Sequence, residues 1–185
     1  MASTGTLILV VGASGVGKDT LIAAAKAQLA GDLRFHFPRR VVTREAVAAL
    51  EDHDSISGDD FEMRRRDGAF ALHWDAHGLR YGVPTSIDAA LAAGTSVVVN
   101  VSRKIIGGAR EKYRRCEVIL IEASVGVRAG RLAGRGRETA AEVSARLQRE
   151  GEALPAGVVA TRIDNSASLD APVAAFVSAV VQLAE

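Results

Sequence analysis

The chain has 185 residues, 48% apolar and 24% charged, which suits one domain with a real core and excludes an extended disordered segment. Its formal net charge of +1 gives no global pull toward nucleic acid or a membrane surface, so neither partner is expected. The single cysteine, Cys116, allows no intramolecular disulfide and no multi-cysteine metal site, which fits a reducing, cytoplasmic setting.

The opening stretch has no basic leader, and its apolar run is too short for a signal peptide or membrane span. That run, Leu7–Val11, is continuous, as a buried parallel strand requires. A glycine-rich turn follows, then a helix over Thr20–Leu29 that stops at Gly31. Phe35–Val42 reads as a second strand interrupted by Pro38. Ser57 is a helix cap, with acids in the first turn and bases later. Phe70–Trp74 reads as a short strand, and Ser86–Ala93 as a helix closed by Gly94. Val97–Val101 and Val118–Glu122 are buried strands, with helices expected over Arg103–Tyr113 and Val125–Leu132. Thr139 and Glu142 form a capping box for a further helix. Val158–Ile163 is the last strand and Ala171–Leu183 the last helix, with Asp170 as its cap and Pro172 in its first turn.

Strands alternating with helices predict an α/β fold, a parallel sheet flanked by helices with right-handed crossovers. The stretch 36–93 is too long for a simple crossover. It reads as an inserted substrate lobe, about 36–93, on a core of 1–35 and 94–185, all within one domain.

The chemistry starts at "GASGVGKDT". Gly-x-x-x-x-Gly-Lys spans Gly12 to Lys18, with a strand before and a helix after. Gly12, Ala13, Ser14, Gly15, Val16 and Gly17 form a loop whose N–H groups can wrap a phosphate, helped by the helix dipole. Lys18 adds a point charge for the β- and γ-phosphates. The next residue in such loops is ordinarily a Ser or Thr on Mg²⁺; here it is Asp19. A carboxylate there would repel phosphates unless a cation lay between, so it predicts Mg²⁺ bound directly or through water. The alternative is a first-turn helix acid turned to solvent. Thr20 offers a hydroxyl to the α-phosphate.

With these residues in place, the chain resembles the guanylate kinase family of P-loop kinases along nearly its whole length. "GASGVGKDTL" is similar to that family's loop, and "RRVVTRE" (39–45) lies where the family has its acceptor segment. "GAFALHWDAHGLRYGVP" (68–84) resembles the acceptor lobe, "RAGRLAGRGRETAAEVSARL" (128–147) the arginine lid, and "RIDNS" (162–166) the adenine-side segment. The resemblance implies a P-loop NTPase fold with an inserted acceptor-binding lobe over about 36–93 and a helical lid over about 126–150, and it implies ATP and Mg²⁺. It also implies phosphate contacts from Arg40, Arg44 and Tyr81, and lid contacts among Arg131, Arg135, Arg137 and Arg146, with Arg135 and Arg146 favoured as catalytic beside Lys18. Asn165 stands where the family has an adenine-side Asn; a turn-forming Asn is the other reading.

The departures carry as much. The guanine-reading Glu is Leu72, the Thr after Tyr-Gly is Val83, and the acidic strand end reads Asn100-Val101-Ser102. Leu and Val cannot pair guanine's donors. Arg40 replaces a Ser, and His53 lies near a family Tyr, as a substrate ligand or a loop-ordering group. An acceptor site that keeps anion contacts and lacks a base reader resembles the ribose 1,5-bisphosphate phosphokinases of phosphonate utilisation, within the same kinase family. That implies transfer from ATP to ribose 1,5-bisphosphate, forming phosphoribosyl diphosphate, with a phosphorylated sugar as the only partner beyond an open possibility of a homodimer. Guanylate kinase, a non-catalytic interaction module and a gluconate-type kinase are the alternatives. Arg39 and Arg80 are weaker phosphate candidates, Arg64–Arg66 reads as a solvated face, His73 and His77 lack metal spacing, Trp74 reads as packing and Cys116 as an inert thiol.

Overall fold

The computed structural model describes residues 4–44, 53–134 and 153–185. Five parallel strands form the central sheet: β1 (Leu7–Val11), β2 (Phe35–His36), β7 (Ser96–Asn100), β8 (Cys116–Glu122) and β9 (Thr161–Asp164), in spatial order β2-β7-β1-β8-β9. Every residue of β1 and β7 is buried, which is why both read as unbroken apolar runs. The two faces of the sheet support separate cores. Leu7, Leu9, Val97, Val99, Val118 and Leu120 face one side, and Ile8, Val10, Val98, Ile119 and Ile121 face the other. On the second side α1 (Lys18–Gln28) packs beside the C-terminal helix α6 (Asp170–Ala184), around Leu21, Phe176 and Val180.

A second, four-stranded sheet is built between β2 and β7. It comprises β3 (Arg40–Val42), β4 (His53–Ser55), β5 (Phe70–Ala76) and β6 (Leu79–Pro84), in order β4-β3-β6-β5. Strand β3 runs parallel to β4 and antiparallel to β6, and β5 and β6 form a hairpin. Leu72, Trp74 and Val83 belong to the same core cluster as Leu7 and Val97, so the two sheets share one core. Helix α2 (Gly58–Arg66) is capped by Ser57, whose Oγ accepts from the Asp60 N–H. Its Phe61 stacks on Phe70, and helix α3 (Ser86–Ala92) returns the chain to the central sheet through Ile87 and Leu91.

The differences from the sequence reading have local causes. The single strand expected over Phe35–Val42 is two, β2 in the central sheet and β3 in the second, with Pro38 at the crossing. Strand β6 was missed because its signal is a two-residue turn. His77 and Gly78 have φ of 53° and 73°, the positive pair that closes a tight hairpin. The helix expected from Arg103 is a short 3-10 turn, Arg103–Ile105, running into α4 (Ile106–Lys112). The last strand covers only Thr161–Asp164, and Asp170 is the first residue of α6 rather than its cap. Thr139 and Glu142 lie outside the described residues.

Candidate active site

The glycine loop leaves β1 at the sheet's switch point, where β7 and β8 flank β1 on opposite sides. Two glycines are required by contact as well as by φ. At Gly12 (φ +155°) a Cβ would lie 2.4 Å from the Ile121 carbonyl oxygen, and at Gly17 (φ +91°) 2.4 Å from Asn165 Nδ2. The loop's carbonyls are gripped from outside. Helix α5 (Val125–Ala133) presents Arg128 Nε to Ser14 O at 3.1 Å and Arg131 Nη1 to Val16 O at 3.2 Å. Asn165 Nδ2 donates to the same Val16 O at 2.7 Å. A loop whose carbonyls are held on the outside presents its N–H groups inward, as an anion requires. Lys18 Nζ lies over the Gly12 and Ala13 carbonyls, at 2.7 and 3.1 Å.

Asp19 and Thr20 follow in the first turn of α1, both exposed. Strand β7 ends beside β1, with Val101 N–H on Val10 O, and so brings Asn100 to the loop. Asn100 Nδ2 donates to Asp19 Oδ1 at 2.7 Å. From the other sheet, Arg40 Nη2 approaches the same oxygen to 3.5 Å. The Arg40 guanidinium also lies over the Tyr81 ring, 5.9 Å from its centroid, and Tyr81 stacks on Trp74 at 5.3 Å. Register places Arg40 opposite His53 and Val42 opposite Tyr81, so Arg40, His53 and Tyr81 share one face. Arg44 lies two residues beyond the end of β3. Leu72 and Val83, opposite each other on β5 and β6, are buried to 8% and 0% exposure.

No family model matches the chain. The ribose 1,5-bisphosphate phosphokinase PhnN of Brucella melitensis biotype 2 (strain ATCC 23457) is 46% identical over 181 residues, 97% of this chain and 94% of that protein. That of Acidiphilium cryptum (strain JF-5) is 45% identical over 182 residues, 98% of this chain and 96% of that protein. The chain belongs to the ribose 1,5-bisphosphate phosphokinase family. The fold is that of a P-loop kinase: a guanylate kinase from Anaplasma phagocytophilum superposes with a TM-score of 0.67 at 17% identity, covering 99% of this chain and 88% of that one.

For a member of the ribose 1,5-bisphosphate phosphokinase family, the sequence-derived site divides clearly. The loop residues 12–18, Asp19 and Arg40 converge, and Tyr81 and His53 share the face on which Arg40 lies. Asn165 does not stand open toward a base; it is 1% exposed with its amide committed to Val16 O, so in this structure it buttresses the loop. Arg131 likewise holds the loop's main chain. Arg39 is turned to Asp54 and His53 O on β4, and Arg80 to Glu62 on α2, so both hold elements of the second lobe together. Arg65 and Arg66 pair with Glu62, whose carboxyl the Arg65 hydrogen bonds hold down at about 2. Burial pushes the Cys116 thiol up to about 11, which leaves it unreactive. Arg135, Arg137 and Arg146 lie outside the described residues.

Two participants escaped the sequence reading. Arg128 is 8% exposed and shares a helix face with Arg131 and Leu132 at i, i+3 and i+4; that spacing was the available signal. Asn100 was read only as the loss of an acid. The structure shows it as the partner of Asp19, on the first turn of α1.

Proposed function

We propose that this chain transfers the γ-phosphoryl group of ATP to ribose 1,5-bisphosphate, giving ADP and 5-phosphoribosyl 1-diphosphate. One observation carries the choice of acceptor. The positions where guanylate kinases read the base are occupied by Leu72 and Val83, closed into the core, while Arg40, laid over Tyr81 of the same sheet, reaches Asp19 just after the phosphate loop. A buried aliphatic pair offers guanine no donor or acceptor, whereas a guanidinium suits an oxyanion.

An oxygen of the acceptor's 1-phosphate attacks the γ-phosphorus, and the bond from that phosphorus to the bridging β–γ oxygen breaks. The nucleophile is already anionic, so no strong general base is required. Position and charge neutralisation therefore carry the reaction. The loop's N–H groups and Lys18 hold the donor phosphates, with Thr20 near the α-phosphate. Arg40, Arg44, His53 and Tyr81 hold the acceptor, and the lid arginines Arg135 and Arg146 close over the transferred group.

Magnesium fits the residues present. Asp19 is a half-exposed carboxylate at the loop, a hard ligand, and among the described residues no cluster of three or more acidic, His or Cys side chains forms a cage. One carboxylate plus phosphate oxygens and water is the way Mg²⁺ is usually held. When bound, the ion supplies charge neutralisation on the donor phosphates. Among the described residues no helix is long and apolar enough to cross a membrane.

The test is ADP release with ATP and Mg²⁺ against ribose 1,5-bisphosphate, GMP, dGMP, UMP and gluconate. Turnover of the bisphosphate alone is expected; brisk turnover of GMP with none of the sugar would overturn the reading.

A further inference from the structure

Asp19 Oδ1 is a meeting point of three parts of the chain. It lies on the first turn of α1, accepts from Asn100 at the end of β7, and faces Arg40 at the start of β3. Arg40 is the informative member. Its side chain is 15% exposed, laid over the Tyr81 ring, on the acceptor face, yet its Nη2 faces a donor-side carboxylate. A guanidinium neutralised by Asp19 is a weaker anion receptor than one whose charge is uncompensated. Asp19 in turn is the residue that fits a divalent cation.

We propose that Arg40 couples the two substrate sites through Asp19. With donor phosphates and Mg²⁺ in place, the negative charge of Asp19 is compensated by the cation, and the charge of Arg40 becomes available to the acceptor's phosphate. Asn100 is a positioning residue in this scheme. Its amide holds Oδ1 whichever cation Asp19 faces, so the carboxylate need not swing. The coupling makes the sugar bisphosphate bind well only beside a metal-loaded donor. It is reciprocal: the acceptor must tighten the metal–nucleotide complex by the same factor. Because Asp19 is half exposed, solvent screening limits the pair, and the coupling is about three- to tenfold.

This inference rests on the substrate reading above, so its test measures binding, not turnover. Calorimetry would titrate ribose 1,5-bisphosphate into the protein holding the β,γ-imido analogue of ATP, with Mg²⁺ or with EDTA. Wild type should bind the sugar about three- to tenfold more tightly with Mg²⁺. Asp19→Asn should bind it more tightly than wild type in EDTA, with most of the Mg²⁺ dependence gone. General electrostatics would also favour an anion once Asp19 is neutralised, so the deciding arm is Arg40. In Arg40→Gln, the Asp19→Asn change should raise sugar affinity in EDTA by clearly less than it does with Arg40 present. If the same Asp19→Asn gain persists without Arg40, the coupling is overturned and the substrate reading stands. No binding of the sugar in any arm overturns both. Thermal melts and the emission of Trp74, the chain's one tryptophan, stacked on Tyr81, check that each variant is folded. The more conservative Arg40→Lys replaces Arg40→Gln should the latter fail to fold. It keeps the charge without the fork, so the Asp19→Asn gain should persist in it; loss of that gain there would also overturn the coupling.

Discussion

On the function proposed above, the phosphate loop and the second sheet meet the same chemical group by opposite means. The loop is main chain, shaped by glycines and gripped through its carbonyls by Arg128, Arg131 and Asn165. The second sheet offers side chains, Arg40 over Tyr81 over Trp74, and buries the aliphatic pair Leu72 and Val83. A main-chain cradle tolerates few changes in shape, whereas a side-chain site can lose one substrate and gain another through a few substitutions while the sheet is unchanged.

The contrast can be broken at several points. Lys18→Ala should lower kcat by a hundred- to a thousandfold with an unchanged circular dichroism spectrum, since it removes charge at the transferred phosphate and no packing. Leu72→Glu should not create a guanine site. It places an unpaired charge in the core and should cost about 3–5 kcal/mol, read as a lower midpoint in urea. On the loop side, Asn165→Ala removes a buried donor from Val16 O and should cost about 1–3 kcal/mol, with the KM for ATP rising more than that for the sugar. If the sugar's KM rose equally, the two regions would not be separable.

The smallest effect concerns pH. Glu62, which joins α2 to β6 through Arg80, titrates at about 2 against an ordinary 4.5. A carboxyl depressed in the folded state contributes stability above its unfolded value and loses it as pH falls from 4.5 toward 2. Glu62→Gln should therefore melt slightly below wild type at neutral pH and converge with it as pH falls through that window, a small difference, as suits an exposed pair.

The loop was legible because its signal is local. Gly12, Gly17 and Lys18 are set by φ, close backbone approach and reach, all within one turn of chain. The strands β1, β7 and β8 were legible because burial on both faces leaves unbroken apolar runs. Arg40, Tyr81 and Asn165 were legible only as candidates; that Asn165 Nδ2 donates to Val16 O had no signal along the chain.

What the sequence determined by itself is therefore the parallel core and the glycine loop between its first strand and helix, since each follows from periodicity or from a residue type at one position. Tertiary structure alone decided that Arg40 and Asn100, 21 and 81 residues from Asp19, converge on one oxygen of that carboxylate, and that Arg128 turns inward to a loop carbonyl. Contacts of that kind depend on sheet order and on which face a strand presents, and no spacing along the chain encodes either.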